Sequence, residues 1–127
     1  MTEEYLHKEL TDRIIGCSFK VHNELGTGFL EKVYRNALAV ELKEAAVPFE
    51  QEYPLSVSYR GHIVDEYVPD LIVDQKVIVE LKAVSMLSKP HEVQLVNYLK
   101  VTGLQVGLLI NFGKSVEVKR KIRSKNI

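Results

Sequence analysis

The sequence predicts an α/β fold, with two N-terminal helices packed on a mixed sheet, and three observations carry that reading. Apolar residues recur at helical spacing through roughly the first 46 positions. After Pro48 the texture changes to short alternating or wholly apolar runs separated by turn residues. One helical segment then lies between two apolar runs, as a crossover connection requires. The predicted order is α-α-β-β-β-α-β-β.

Leu6, Leu10, Ile14, Cys17 and Val21 form one stripe of an amphipathic helix over about 3–25. Leu25-Gly26-Thr27-Gly28 ends it. A second helix is expected over 29–46, with Leu30, Val33, Ala37, Val40 and Leu42 as its apolar positions and Pro48 as its stop. Leu55, Val57 and Tyr59 alternate with polar residues and predict a strand, followed by a turn at Arg60-Gly61-His62. Ile63 to Val73 predicts a second strand, interrupted by Pro69. Asp74-Gln75-Lys76 turns the chain into a third, Val77 to Lys82, apolar on both faces and so interior to its sheet. Pro90 opens a helix over 90–102, with Val93, Leu95, Val96 and Leu99 facing the core and Gly103 as its cap. Gln105 to Phe112 is a buried strand, and Val116, Val118 and Ile122 mark a final edge strand.

Composition bounds the function. With 127 residues, 46% hydrophobic and 27% charged, the expectation is one globular domain, residues 1–127, rather than a disordered chain. A single cysteine excludes an intrachain disulfide and a cysteine zinc cluster, and points to a reducing, cytoplasmic compartment. No apolar run approaches a membrane span, and the N-terminus does not read as a secretory signal. The zero net charge hides an asymmetry. Residues 1–112 hold 11 Lys/Arg against 16 Asp/Glu, a balance of −5, while residues 113–127 hold six against one, a balance of +5. The basic tail, 114–127, is either a phosphate contact or a solvated end.

The chemistry concentrates at Glu80-Leu81-Lys82. Alternation along the strand places Glu80 and Lys82 on one face. Two charges on an interior strand are costly unless paired or bound to an ion. Asp70 follows Pro69 among apolar neighbours, and counting back from the 74–76 turn pairs it with position 80 or 81. Two adjacent carboxylates repel, and a hard divalent cation such as Mg²⁺ resolves the repulsion. With a lysine on the same face, the set suits metal-dependent phosphodiester cleavage. The competing reading is a structural Glu80–Lys82 pair beside a surface Asp70.

Three further stretches decide between these. Gly28-x-x-Glu31-x-x-Tyr34 opens the second helix, preceded by His22-x-x-Leu25-Gly26. Later come Val79-Glu80-Leu81-Lys82-Ala83 and His91-Glu92-x-Gln94-Leu95-x-Asn97-Tyr98. From about Leu10 to Gly113 the chain resembles the GxxExxY protein family, a branch of the PD-(D/E)XK nuclease superfamily. The resemblance implies a restriction-endonuclease-like fold and a Mg²⁺ or Mn²⁺ cofactor. Pro69-Asp70 matches the family's first acid and Glu80 its second, both metal ligands, with the Leu81 carbonyl completing the shell. Lys82 matches the catalytic lysine, and Glu31 the helix-borne acid that many members add. Gln94 and Tyr98 resemble the Gln-x-x-x-Tyr motif of a nuclease branch.

The residues also have readings of their own. Gln94 and Tyr98, four apart, share a helix face and can contact a nucleotide. Glu31 sits in a first helical turn, three residues after a Gly28 N-cap, as in a capping box. Tyr34 can aim its hydroxyl at the site. His22 and His91 are candidates for phosphate or water contacts, and Cys17 belongs to the core. Gly26 and Gly28 form no phosphate cradle, since neither a GxGxxG nor a Walker pattern is present. The expected function is a metal-dependent nuclease acting on DNA, structure-specific as a homodimer or targeted by a protein partner. A non-catalytic nucleic-acid-binding or protein-interaction module that keeps the fold is the alternative, and RNA cleavage a third.

Overall fold

In a computed structural model, which describes residues 6–123, helix α1 spans Lys8–Leu25 and helix α2 spans Glu31–Glu44. Positions 3–5 of the expected first helix lie outside the described residues. α1 buries Thr11, Ile14, Cys17, Ser18 and Val21. The two buried hydroxyls bond carbonyls one turn back, Thr11 to Lys8 at 3.0 Å and Ser18 to Ile14 at 2.9 Å, so neither is left unsatisfied. Gly26, at φ 76°, ends the helix and donates its N–H to the His22 carbonyl at 2.8 Å.

α2 departs from expectation in start and in face. Its N-cap is Leu30, not Gly28, so Glu31 is the first helical residue and no capping box includes it. The buried stripe is Tyr34, Leu38 and Leu42, whereas Leu30 and Val40 are 77% and 55% exposed. The cause is Tyr34. Its ring stacks on Phe112 with centroids 4.6 Å apart. Its hydroxyl donates to the Gly26 carbonyl at 2.7 Å and accepts from the Phe29 N–H at 3.3 Å. These contacts fix the helix rotation.

The strands are β1 (Phe49–Gln51), β2 (Leu55–Tyr59), β3 (His62–Tyr67), β4 (Leu71–Val73) and β5 (Val77–Lys82). Helix α3 (Lys89–Thr102) then leads to β6 (Val106–Phe112) and β7 (Val116–Ile122). β1, β4, β5, β6 and β7 form one mixed sheet in that order, with β5 at its centre and only the β5–β6 pair parallel. β2 and β3 pair separately. The expected strand from Ile63 to Val73 is therefore two strands in two sheets. Pro69 cannot donate to a ladder, and the chain changes sheets beside it. β1 is too short to show an alternating pattern.

Alternation along β5 and β6 feeds two cores. Val77, Val79, Leu81, Val106, Leu108, Ile110 and Phe112 pack with α1 and α2, whereas Ile78 and Leu109 pack with Leu95 and Leu99 of α3. Val93 and Val96, expected in that core, are 48% and 39% exposed. Gly107 explains the rotation: a Cβ there would stand 2.9 Å from Leu95 Cδ1, so the missing side chain makes the slot that Leu95 fills. The basic tail is an edge strand for most of its described length. Lys121 pairs with Glu92 at 2.7 Å, and Arg120 donates to the Leu6 carbonyl. No helix among the described residues is long and apolar enough to cross a membrane.

One bracket fixes the chain just beyond Lys82. Buried Asn111 accepts the Val84 N–H at 2.9 Å and donates to the Val84 carbonyl at 2.8 Å. Gly113 permits the approach, since a Cβ there would meet the Val84 carbonyl at 2.9 Å. Asn111→Ala leaves both backbone groups without their partner. It should destabilise the protein by about 2 kcal/mol or more in urea denaturation.

Candidate active site

The β4–β5 hairpin pairs Leu71 with Val79 and Ile72 with Ile78, so Asp70, just before β4, falls opposite Glu80. The turn that sets this register has positive φ at Asp74 and Gln75 and is closed by the Lys76 N–H on the Val73 carbonyl at 3.0 Å. The two acids are joined through backbone groups. Glu80 Oε1 accepts the Asp70 N–H at 3.0 Å, and Asp70 Oδ2 accepts the Leu81 N–H at 2.8 Å. Each carboxylate thus holds the strand that carries the other.

Two residues that sequence reasoning did not single out complete this frame. The buried Tyr67, last residue of β3, donates its hydroxyl to Glu80 Oε1 at 2.9 Å. Burial, and then the neighbouring Glu80, keep its phenol far above its ordinary range, so Tyr67 is a fixed donor. Arg35, one helical turn after Glu31, faces Asp70 Oδ1 at 3.3 Å and Glu52 Oε1 at 3.4 Å. Both were hidden because their partners lie far along the chain. The spacing Glu31-x-x-x-Arg35 was the one local signal, a shared helix face.

The field at the site is acidic. Burial first, then the charge of Asp70, push Glu80 up to about 7, against the opposing pull of the Asp70 N–H, the Tyr67 hydroxyl and Lys82. Repulsion between the two acids is thus present, but desolvation outweighs it. Glu31 is raised by burial and then by Asp70, while Lys82, Arg35 and His91 pull it down, so it shares this field. It does not close a three-acid cluster. Among the described residues, no three His, Cys, Asp or Glu side chains are gathered closely enough to hold one metal ion. Lys82, half-buried, has neither hydrogen bond nor ion pair among the described residues.

The other candidates divide. Gln94 is exposed on α3. Tyr98, one turn on, stacks on Tyr67 with centroids 3.4 Å apart and planes 5° from parallel, so it backs the Glu80 contact. Tyr34 and His22, expected near substrate, are both engaged within the fold. Tyr34 is fully buried and its hydroxyl braces the Gly26–Phe29 loop. His22 stacks on Phe112 and donates from Nε2 to the Gly113 carbonyl at 2.9 Å, tying α1 to the β6–β7 turn. His91 Nδ1 accepts the Ser88 N–H at 3.3 Å and closes the first turn of α3.

Helices on both faces of a mixed five-stranded sheet, with acids at the end of the central hairpin, define the restriction-endonuclease-like class of α/β fold. The chain belongs to the PD-(D/E)XK nuclease superfamily, whose family model matches residues 8–123. Among solved structures it is similar to an alkaline exonuclease, LHK-Exo, from Laribacter hongkongensis, with a TM-score of 0.54 and 13% identity over 75% of this chain. The chain spans 57% of that protein, and at such identity the likeness is one of fold. No curated protein matches the chain by sequence.

The raised Glu80 pKa gives a signed prediction. Between about 4.5 and about 7 the folded state holds a proton that the unfolded state has released, so metal-free stability falls as pH rises through that window. Glu80→Gln keeps an oxygen for Tyr67 and Asp70 and removes the charge. In EDTA it should melt above wild type at pH 8, and its decline in Tm from pH 5 to 8 should be shallower. Scanning fluorimetry at both pH values reads the difference.

Proposed function

We propose that this chain is a Mg²⁺- or Mn²⁺-dependent nuclease hydrolysing phosphodiester bonds in DNA, and that within its superfamily it is a GxxExxY protein. One observation carries the reading: Asp70 and Glu80 are locked side by side while Lys82, two residues on along the same strand face, has neither hydrogen bond nor ion pair among the described residues and acts on both Glu80 and Glu31 through its charge. The motif Gly28-x-x-Glu31-x-x-Tyr34 supports the finer family. The donors fit a hard cation, being carboxylate oxygens held together where burial and mutual repulsion raise the pKa of Glu80, a cost that a bound cation relieves. Among the described residues only Oε1 of Glu80 is hydrogen-bonded, which leaves Oε2 as a ligand.

In this reading Asp70 and Glu80 would hold the cation, with the Leu81 carbonyl as a further ligand and Glu31 acting on the site through its charge. A divalent ion bound there supplies Lewis acidity toward a phosphoryl oxygen and acidifies a bound water. Lys82 would orient the attacking water and offset charge developing on the phosphate. Gln94, on the exposed face of α3, is available to a nucleotide. We expect little sequence preference, with cutting directed by nucleic-acid structure in a homodimer or by a protein partner. The buried single thiol of Cys17 suits a cytoplasmic setting.

Cleavage of labelled duplex, junction and single-stranded DNA, with RNA in parallel, tests the proposal in Mn²⁺ and in EDTA. Lys82→Ala should lose about 10²–10³-fold in turnover. Mn²⁺ at a hundredfold excess over its Kd should stabilise wild type by about 2.7 kcal/mol, and Asp70→Asn far less. A binding module that has kept only the fold predicts no cleavage and no metal response in either protein.

A further inference from the structure

Arg35 stands against the acids of the site and matches no position of the nuclease pattern. Its side chain is 17% exposed, and it meets Asp70 Oδ1 at 3.3 Å and Glu52 Oε1 at 3.4 Å. Both contacts are longer than the roughly 2.7–2.9 Å of a strong charge-assisted bond. Its buried Nε finds no acceptor among the described residues. The guanidinium is thus poorly used as a hydrogen-bond donor, and what it contributes there is charge.

Asp70 does not need Arg35 to stay in place. Its carbonyl accepts the Glu52 N–H at 3.1 Å, its own N–H is held by Glu80, and Oδ2 is held by the Leu81 N–H. Glu31 lies in the same field, and Arg35 lowers its pKa. The local count is four acids, Glu31, Glu52, Asp70 and Glu80, against Arg35 and Lys82. Resting on the metal-site reading above, we propose that Arg35 is the resident counter-ion of the site. It stabilises the metal-free fold by offsetting the acids, and it opposes a divalent cation at Asp70, so that it sets the metal affinity of the site. It is a positioning residue acting through Asp70, not a group that meets the substrate.

The test is Mn²⁺ binding by calorimetry, with melting temperatures in EDTA, for wild type, Arg35→Gln, Arg35→Lys and Asp70→Asn. Removing a fixed positive charge beside a cation site should tighten it. Arg35→Gln should therefore melt lower than wild type without metal yet bind Mn²⁺ about tenfold tighter or more. Arg35→Lys keeps the charge and should stay within about threefold of wild type. A structural role alone would lower Tm without tightening the site. Should Arg35→Gln be unfolded in EDTA, its recovery by Mn²⁺ reads the same affinity, and failure to refold at concentrations that saturate wild type overturns the proposal. Binding by Arg35→Gln equal to or weaker than wild type overturns it as well, while leaving the metal site intact. A wild type that ignores Mn²⁺, indistinguishable from Asp70→Asn, overturns the metal reading and this inference together.

Discussion

Two carboxylates share the end of one hairpin at the centre of the sheet, and the structure around them answers the cost of putting them there. An ionised carboxylate loses hydration on burial and must recover it from fixed donors. Glu80 recovers part from the Asp70 N–H and the Tyr67 hydroxyl, and Asp70 recovers part from the Leu81 N–H and Arg35. The compensation is incomplete, as the raised Glu80 shows. What remains is an excess of negative charge at the head of β4 and the end of β5.

The scaffold keeps that hairpin in register by fixing the rotation of the helices on either side. Tyr34 sets α2 against Phe112, and Leu95 in the slot over Gly107 sets α3. Once these are set, the Glu31–Arg35 face of α2 and the Tyr98 side of α3 are directed to opposite flanks of the same acids. The Asn111 bracket holds the exit of β5, so the chain beyond Lys82 is anchored as well as the strand before it.

Much of this was legible in the sequence, and the parts that were not share a physical cause. The α1 stripe, the apolar runs of β5 and β6 and the turn at Asp74 are local patterns, and the pairing of Asp70 with Glu80 followed from counting out from that turn. The rotations of α2 and α3 were misread, because apolar Val40, Val93 and Val96 are as hydrophobic as the residues that are buried, and the choice is made by a distant ring and a distant glycine. β1 and the split at Pro69 depend on which strand a segment can reach. Arg35 and Tyr67 acquire their meaning only from partners 35 and 13 positions away. The acids and lysine were thus readable as a motif, whereas the groups that set their charge were not.

The stack of Tyr67 on Tyr98 also makes the site optically visible. The chain has no tryptophan and six tyrosines, so its near-ultraviolet signal is a tyrosine signal. Two of the six lie face to face in one rigid pair, with one hydroxyl bonded to Glu80. Chiral, immobile aromatic packing of this kind dominates near-ultraviolet circular dichroism and vanishes when fixed packing is lost. Part of the tyrosine signal of this protein is therefore coupled to one of its acids, alongside the part that comes from Tyr34 on Phe112.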